Sequence, residues 1–138
     1  AFSSDPKDAA AECLRISRWL DENGPIDLCL LGLGANGHLA LNEPGPALTA
    51  HAHVATLSPD TRRHTMLAGY DTHGLYGLTL GIAEILHAKQ LLLLVSGAHK
   101  AAPLRKLREP GITTWLPASF LRLHANARIL CDAAAWAE

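Results

Sequence analysis

Cysteine, aromatic residues and an excess of either charge are all scarce in this chain. Its 138 residues include 3 cysteines, 3 tryptophans, 2 tyrosines and 2 phenylalanines, and the formal net charge is -1. An odd number of widely spaced cysteines argues against a disulfide framework or a zinc site, so we expect a reducing, cytoplasmic location. The balanced charge argues against nucleic acid or an anionic membrane as a partner. The longest purely apolar run, residues 91–95, is too short to cross a bilayer, and no signal peptide is visible.

The remaining composition, 49% apolar and 18% charged, is that of an ordinary globular protein. We expect residues 1–138 to form a single domain with a substantial core. Apolar runs predict strands over residues 26–31, 53–57, 90–95 and 127–131. Helical spacing and start signals predict helices from Pro6 to about residue 23, over 60–68, over 78–87, over 97–107 and over 117–123. The first residues of the 78–87 segment could instead form a short strand. This alternation predicts an α/β fold with a parallel sheet, and the unbroken apolar strand at 26–31 predicts burial on both faces.

The most informative stretch is residues 28–45, LCLLGLGANGHLALNEPG, in which an apolar strand ends in a glycine-rich turn. Asn36, His38 and Glu43 follow the strand, and open parallel sheets bind ligands just beyond the carboxyl ends of their strands. A glutamate that accepts a hydrogen bond from one imidazole nitrogen fixes the tautomer and raises the basicity of the other. The pattern is compatible with a general acid/base pair, although a histidine after a glycine turn is more often a hydrogen-bonded loop residue, and both interpretations stay open at this point.

Gly32, Gly34 and Gly37 also match the G-x-G-x-x-G fingerprint of dinucleotide-binding proteins. That motif requires a helix to begin in the turn and to run on, so that its amino terminus faces the pyrophosphate. Here Pro44 arrives so soon that any helix is limited to about two turns. A tight turn after a buried strand is the favoured interpretation.

A second candidate site follows the apolar run at 91–95, where Ser96 and Gly97 lead into a predicted helix with Lys100 in its first turn. Free backbone N–H groups, the helix dipole and a lysine charge together suit a phosphate. The alternative is a lysine on a solvated helix surface.

Two weaker signals involve histidine and arginine. Arg62, Arg63 and His64 could form part of an anion site, although an exposed basic turn is the commoner explanation. His51 and His53 alternate as they would on one face of a strand, but no third ligand is evident, so we expect no metal site.

Several motifs, taken in chain order, resemble the glucosamine/galactosamine-6-phosphate isomerase and deaminase family. They are GLGANGHLALNEPG at 32–45, TLSPDTR at 56–62, LTLG at 78–81, LVSGAHK at 94–100, PASFLRLH at 117–124 and ILCD at 129–132. The resemblance implies a Rossmann-like, three-layer parallel-sheet fold and an aldose–ketose isomerisation of an amino-sugar 6-phosphate with loss of ammonia. It implies a sugar-phosphate substrate, no cofactor and no metal.

The resemblance also implies roles for individual residues. His38 matches the ring-opening acid/base, Glu43 its orienting carboxylate, and Lys100 the residue that meets the sugar phosphate. Asn36 stands where glucosamine-6-phosphate deaminases generally have aspartate, and this version looks more like the galactosamine-6-phosphate branch. The expected substrate-binding residues are Gly32, Leu33, Gly34, Ser96, Gly97 and Lys100.

Three departures from the family accompany these matches. His53 and Ala55 replace the basic residues of allosteric deaminases, so we expect no effector site of that kind, and Leu67 falls near the place of a phosphate-binding arginine. Family members are longer, and their amino-terminal half supplies a phosphate loop and the carboxylate that takes the carbon-2 proton. We therefore expect this chain to be the carboxy-terminal part of a longer protein, and the sheet edge left exposed favours association, including homo-oligomers.

Two further functions stay open at this point. One is a lactonase acting on a 6-phosphogluconolactone, although the Asn42-Glu43-Pro44 ending differs from the lactonase segment. The other is a non-catalytic sensor of sugar phosphates.

Overall fold

The structure, a computed structural model, describes residues 1–3, 5–63, 67–69 and 74–136. Its helices are α1 (Ala9–Asn23), α2 (Pro59–Arg62), α3 (Ile82–His87), α4 (Ala101–Arg108) and α5 (Ala133–Trp136). Its strands are β1 (Cys29–Gly32), β2 (His53–Thr56), β3 (Tyr76–Thr79), β4 (Leu91–Val95) and β5 (Ala127–Cys131). Short 3₁₀ helices occupy Ala98–Lys100 and Pro117–Leu123.

A parallel sheet of three strands organises the chain, in the order β1-β4-β5. Cys29 pairs with Leu91, and Leu91 pairs with Ala127, so the three strands start level and their carboxyl ends share one edge. The turns after β1 and β4 are therefore neighbours at that edge. The predicted α/β class with a parallel sheet is confirmed.

A second sheet pairs β2 with β3 in antiparallel register, from His53↔Thr79 to Thr56↔Tyr76. The predicted strand near 53–57 is confirmed, and the segment over 78–87 starts with the end of β3, the short strand allowed there, and continues as α3. Helix α1 packs against both strands of this sheet.

The core lies on one face of the parallel sheet. Alternate residues of β4, including Leu91 and Leu93, are almost fully buried there. They pack with Ile85 of α3, Leu104 of α4 and Leu121 of the second 3₁₀ helix.

The opposite face of the same sheet is apolar but exposed. Leu30 is 59% exposed, Leu94 48% and Leu130 56%, and the register places all three on one side of the sheet. The prediction that the strand at 26–31 is buried on both faces is therefore wrong for this chain. An unbroken apolar run shows that both faces are apolar, whereas burial depends on which elements lie against them.

Helix α1 begins at Ala9 and not at the predicted Pro6. Asp8 caps it, because its Oδ1 accepts hydrogen bonds from the backbone N–H groups of Ala10 and Ala11, each at 3.0 Å. Its end at Asn23 is as predicted, since Gly24 follows with a φ of 88°, a conformation that favours glycine.

Two other predicted helices are met in part. Helix α2 covers only the start of the predicted 60–68 segment, and residues 64–66 lie outside the described part of the chain. The predicted 97–107 helix is present as a 3₁₀ turn followed by α4. No helix within the described residues has the length and apolar character needed to span a membrane.

Candidate active site at the end of strand β1

The turn after β1 is shaped by glycines. The backbone N–H of Gly34 donates to the carbonyl oxygen of His38 at 3.1 Å, which folds the chain back on itself. A Cβ at Gly34 would lie 2.4 Å from the imidazole ring of His38, so only glycine leaves room for the ring in this position. Gly37 has a φ of 87° and a backbone that L side chains rarely adopt. Residues 38–45, all within the described part of the chain, form no helix, so the dinucleotide motif lacks its structural context.

A second tight turn brings Glu43 back toward His38. Leu39, fully buried, bridges to Leu33 on one side and to Asn42 on the other. The amide of Asn42 donates to the carbonyl oxygens of Leu39 and Leu80, both at 3.0 Å, and so ties this turn to the segment after β3. The five-residue spacing between His38 and Glu43 thus becomes a close approach.

His38, Glu43 and Asn36 form one cluster. The Nδ1 of His38 lies 3.5 Å from Oε2 of Glu43, and the two side chains are 19% and 14% exposed. The amide nitrogen of Asn36 donates to the same Oε2 at 2.8 Å, and its oxygen accepts from the backbone N–H of His38 at 3.1 Å. Asn36 therefore orients both the carboxylate and the histidine backbone.

Helix α2 adds Ser58 and Thr61 to the cluster. The hydroxyl of Thr61 donates to Oε1 of Glu43 at 2.5 Å and lies 3.3 Å from Nδ1 of His38. Ser58 caps the helix, since its Oγ accepts from the backbone N–H of Thr61 at 3.2 Å, and its own N–H donates to Oε1 of Glu43 at 3.3 Å. Both oxygens of the carboxylate are thus held by donors.

These donors keep Glu43 ionised. Burial alone raises the pKa of this carboxyl, but hydrogen bonds from His38, Thr61 and Asn36 outweigh burial and bring the pKa to about 2. A carboxylate can only accept, so it favours a proton on the Nδ1 of His38 that faces it. The Nε2 atom is then left free to take up and release a proton.

The cluster opens onto a cavity of about 270 Å³ at the carboxyl edge of the sheet. The cavity is lined by Gly32, Leu33, Gly34, Ala35, Asn36, His38, Ala40, Thr61 and Lys100. Burial lowers the pKa of Lys100, and no carboxylate of the described residues lies within ion-pair distance of its ammonium group. A partly buried lysine in such a place suits an anionic group of a ligand.

Ser96 and Gly97 are occupied differently from the expectation. The hydroxyl of Ser96 donates to Oδ2 of Asp132 at 2.6 Å. The backbone N–H of Gly97 donates to both oxygens of the same carboxylate, at 3.1 and 2.9 Å. The turn after β4 does bind an anion, but that anion is the side chain that follows β5. Of Ser96, Gly97 and Lys100, the three residues expected to bind a phosphate, only Lys100 lines the cavity.

The weaker signals gain no support as ligand sites. The Nε of Arg62 donates to the carbonyl oxygen of Leu57 at 2.9 Å, and His64 lies outside the described residues. The Nδ1 of His53 lies 2.9 Å from the carbonyl oxygen of His51. No three His, Cys, Asp or Glu side chains of the described residues lie together as a metal site would require.

Residues 2–130 match the family described as glucosamine-6-phosphate isomerases/6-phosphogluconolactonase. The chain belongs to this family. It is 43% identical over 115 residues to the putative deaminase AgaI of Escherichia coli K12, a match that covers 83% of this chain and 46% of that protein. It is 42% identical over 127 residues to glucosamine-6-phosphate deaminase 1 of Bacillus subtilis 168, which covers 91% of this chain and 52% of that protein.

Solved structures agree on the fold of this family member. A monomeric glucosamine-6-phosphate deaminase matches with a TM-score of 0.90 and 39% identity, covering 98% of this chain and 57% of that one. A 6-phosphogluconolactonase from Trypanosoma cruzi matches with a TM-score of 0.70 at 20% identity, a likeness that concerns the fold alone. The chain spans about half the length of the curated relatives it matches.

Two residues of the region escaped the sequence analysis. Thr61 follows Ser58 by three residues, and the capping signal at Ser58 predicts a helix start without indicating that Thr61 faces Glu43. Asp132 follows the last strand, and its role could have been suspected because parallel strands end at a common edge.

Proposed function

We propose that the protein is an amino-sugar-6-phosphate isomerase/deaminase, converting galactosamine-6-phosphate or glucosamine-6-phosphate to a ketose 6-phosphate and ammonia. The observation that carries this proposal is a single cavity lined both by His38, backed by the ionised Glu43, and by Lys100, which has no carboxylate partner among the described residues. An acid/base group and a phosphate-binding cation thus face one small-molecule space.

His38 performs the ring opening in this proposal. When the bond between carbon 1 and the ring oxygen breaks, the ring oxygen gains a proton and the carbon-1 hydroxyl loses one. A single imidazole nitrogen can carry that proton, and Nε2 is the free one when Glu43 holds the proton on Nδ1. Asn36 supports this arrangement through its hydrogen bond to the Glu43 carboxylate.

Lys100 binds the 6-phosphate in this proposal, in the cavity that the glycine turn of residues 32–34 also lines. A full charge partly withdrawn from water interacts strongly with a phosphate. Ser96 and Gly97, proposed from the sequence as further phosphate ligands, would have to exchange Asp132 for the substrate to take that role.

The later isomerisation step needs a base at carbon 2. None of the residues described as lining the cavity carries a carboxylate. The proposal therefore concerns the complete gene product and assigns ring opening and phosphate binding to this chain.

Galactosamine-6-phosphate is the preferred substrate in this proposal because of the sequence Asn36-Gly37-His38-Leu39, which resembles the galactosamine-6-phosphate branch. Relatives named glucosamine-6-phosphate deaminase support the coarser class of substrate, a hexosamine 6-phosphate.

The decisive experiment measures ammonia release by the complete gene product, with the two epimers in parallel. We expect release with a preference for galactosamine-6-phosphate. In the His38→Ala variant we expect kcat to fall by about 10²- to 10⁴-fold, the usual contribution of a general acid/base. KM for the substrate should change far less, because Lys100 and the turn are intact.

Silence with both epimers, from a folded and complete protein, would contradict the deaminase proposal. Hydrolysis of a 6-phospholactone without ammonia would then indicate a lactonase, and tight sugar-phosphate binding without turnover would indicate a sensor. An unchanged kcat in His38→Ala would remove His38 from the chemistry even if ammonia is released.

A further inference from the structure

We propose that Thr61 is a positioning residue that fixes the tautomer of His38 through its hydroxyl group. The inference rests on the proposed function for its kinetic consequence, but the tautomer is a property of the protein without substrate. Neither the sequence motifs nor the family match assigns Thr61 a role.

The hydroxyl of Thr61 lies between the acid/base and its carboxylate. Its Oγ1 is 2.5 Å from Oε1 of Glu43 and 3.3 Å from Nδ1 of His38. The carboxylate is ionised, since its pKa is lowered to about 2, and therefore only accepts. The single hydroxyl proton of Thr61 must then be the one donated to Glu43.

The remaining lone pairs of Thr61 Oγ1 indicate which imidazole nitrogen of His38 is protonated. With its proton committed to Glu43, Oγ1 can only accept from its other neighbours. One of these is the hydroxyl of Ser58, which donates to it at 3.1 Å. The other is Nδ1 of His38, which must carry a proton to interact favourably with either Oγ1 or the nearby carboxylate. The network thus specifies one tautomer, with Nε2 unprotonated.

The contribution of Thr61 is not duplicated by Glu43 alone. The direct approach of Nδ1 to Oε2 of Glu43 is 3.5 Å, against 3.3 Å to Oγ1 of Thr61, and Oε2 already accepts from Asn36 at 2.8 Å. Thr61 offers Nδ1 a nearer acceptor and holds the other carboxylate oxygen. Without the hydroxyl, Nδ1 would keep only the long contact, and a proton on Nε2 would become competitive.

A purely structural role for Thr61 makes a different prediction. The backbone N–H of Thr61 completes the cap of α2 by donating to Ser58, whereas the Thr61 hydroxyl only accepts a further bond from the Ser58 hydroxyl. Replacing the hydroxyl by a methyl group of similar size in Thr61→Val leaves that backbone bond intact. A loss of tautomer control in Thr61→Val would therefore report on the hydroxyl itself.

The primary experiment is ¹⁵N NMR of the imidazole nitrogens in the complete gene product, without substrate and at a pH where the imidazole is neutral. The signals of His38 are assigned by their absence in His38→Gln. We expect wild type and Thr61→Ser to show Nδ1 protonated and Nε2 unprotonated. We expect Thr61→Val to show a mixture of tautomers, and Thr56→Val, an exposed strand position, to resemble wild type.

The kinetic experiment compares kcat and KM for ammonia release in the same proteins. Loss of the group that orients a metal-bound histidine typically costs 10- to 100-fold, and for the same kind of contact we expect kcat in Thr61→Val to fall by about that factor with little change in KM. Thr61→Ser should retain the wild-type kcat because the hydroxyl is present.

Several outcomes would overturn the inference. A wild-type spectrum with Nε2 protonated contradicts it without any variant, so the test stands even if Thr61→Val fails to fold. A single unchanged tautomer in folded Thr61→Val contradicts it whether or not kcat falls. Absence of ammonia release in wild type would instead count against the proposed function, and the NMR result would still decide the tautomer.

Discussion

The turns that follow β1 and β4 lie side by side at the carboxyl edge of the parallel sheet, and each combines an apolar strand with glycine. In the first turn, backbone groups satisfy one another, as when Gly34 donates to the carbonyl of His38. Its polar side chains are left to face a cavity. In the second turn, Ser96 and the N–H of Gly97 are both used by Asp132.

The difference shows what makes a strand-end turn a binding site. Free backbone donors attract an anion, but the nearest anion can belong to the protein itself. Asp132 follows β5, and the pairing of Val95 with Cys131 already places it beside the turn. Lys100 lies at the end of the 3₁₀ turn that follows and lines the cavity, where its charge is available to a ligand.

Gly34→Ala should disturb the turn after β1 most strongly, and it changes no polar side chain. The added Cβ would lie 2.4 Å from the His38 ring and must displace it. A misplacement of about 1 Å in a reacting group can reduce turnover about 10²-fold, and we expect a loss of kcat of that order.

Gly45→Ala is the matched control, because a Cβ there meets only the carbonyl oxygen of Ala47 at 3.7 Å, an ordinary contact. We expect kcat for ammonia release to be unchanged in Gly45→Ala. Equal activity in both variants would show that the position of the His38 ring does not limit the reaction.

Lys100→Met compares the two turns by their effect on substrate binding. A hydrogen bond to a charged group contributes about 1.5 to 3 kcal/mol, so we expect KM for the sugar phosphate to rise about 10- to 100-fold. Since burial lowers the pKa of Lys100, binding should also weaken as pH rises through that lowered value, and this pH effect should be absent in the variant.

Ser96→Ala provides the contrast, because its hydroxyl is bonded to Asp132 and not to the cavity. Its KM should match that of wild type. A rise in KM equal to that of Lys100→Met would mean that the substrate displaces Asp132 and that both turns belong to one phosphate site.

Predictions from the sequence are most accurate where one local signal determines the structure. The apolar runs at 91–95 and 127–131 are strands within one residue of the prediction, and the class of fold follows from their alternation with helices. The close approach of His38 and Glu43 agrees with a spacing of five residues, which permits the two side chains to meet across a short turn but does not force them to.

Local signals in the sequence do not reveal contacts in which distant segments compete for the same group. Ser96 and Gly97 carry the local pattern of a phosphate turn, and nothing near them in sequence announces Asp132. Thr61 reaches Glu43 only because a second turn and α2 are folded against each other. The exposed face at Leu94 likewise depends on which elements cover the sheet, and apolar character alone does not determine it.

Asp132→Asn tests the turn after β4, which is closed in the sense that Asp132 already occupies its hydrogen-bond donors. The expected effect is the smallest of those predicted here and concerns stability, not turnover. The Ser96 hydroxyl, followed by the backbone N–H of Ala135, lowers the pKa of Asp132 below its usual value near 3.8. The unfolded chain therefore binds more protons than the folded one around that pH. The resulting stabilisation is present above the usual value and is lost as pH falls through the lowered one.

Asparagine cannot ionise, so we expect the melting temperature of Asp132→Asn to fall slightly near neutral pH and to depend less on pH below about 4. Part of the acid dependence should remain, because the pKa of Glu43 is also lowered, to about 2. Asp5→Asn, at an exposed position, controls for the change in net charge.

The kcat and KM of both variants should equal those of wild type if the Asp132 carboxylate only closes the turn after β4. A fall in kcat in Asp132→Asn with an unchanged melting profile would place Asp132 in the chemistry, and the contrast between an open and a closed turn would then no longer hold.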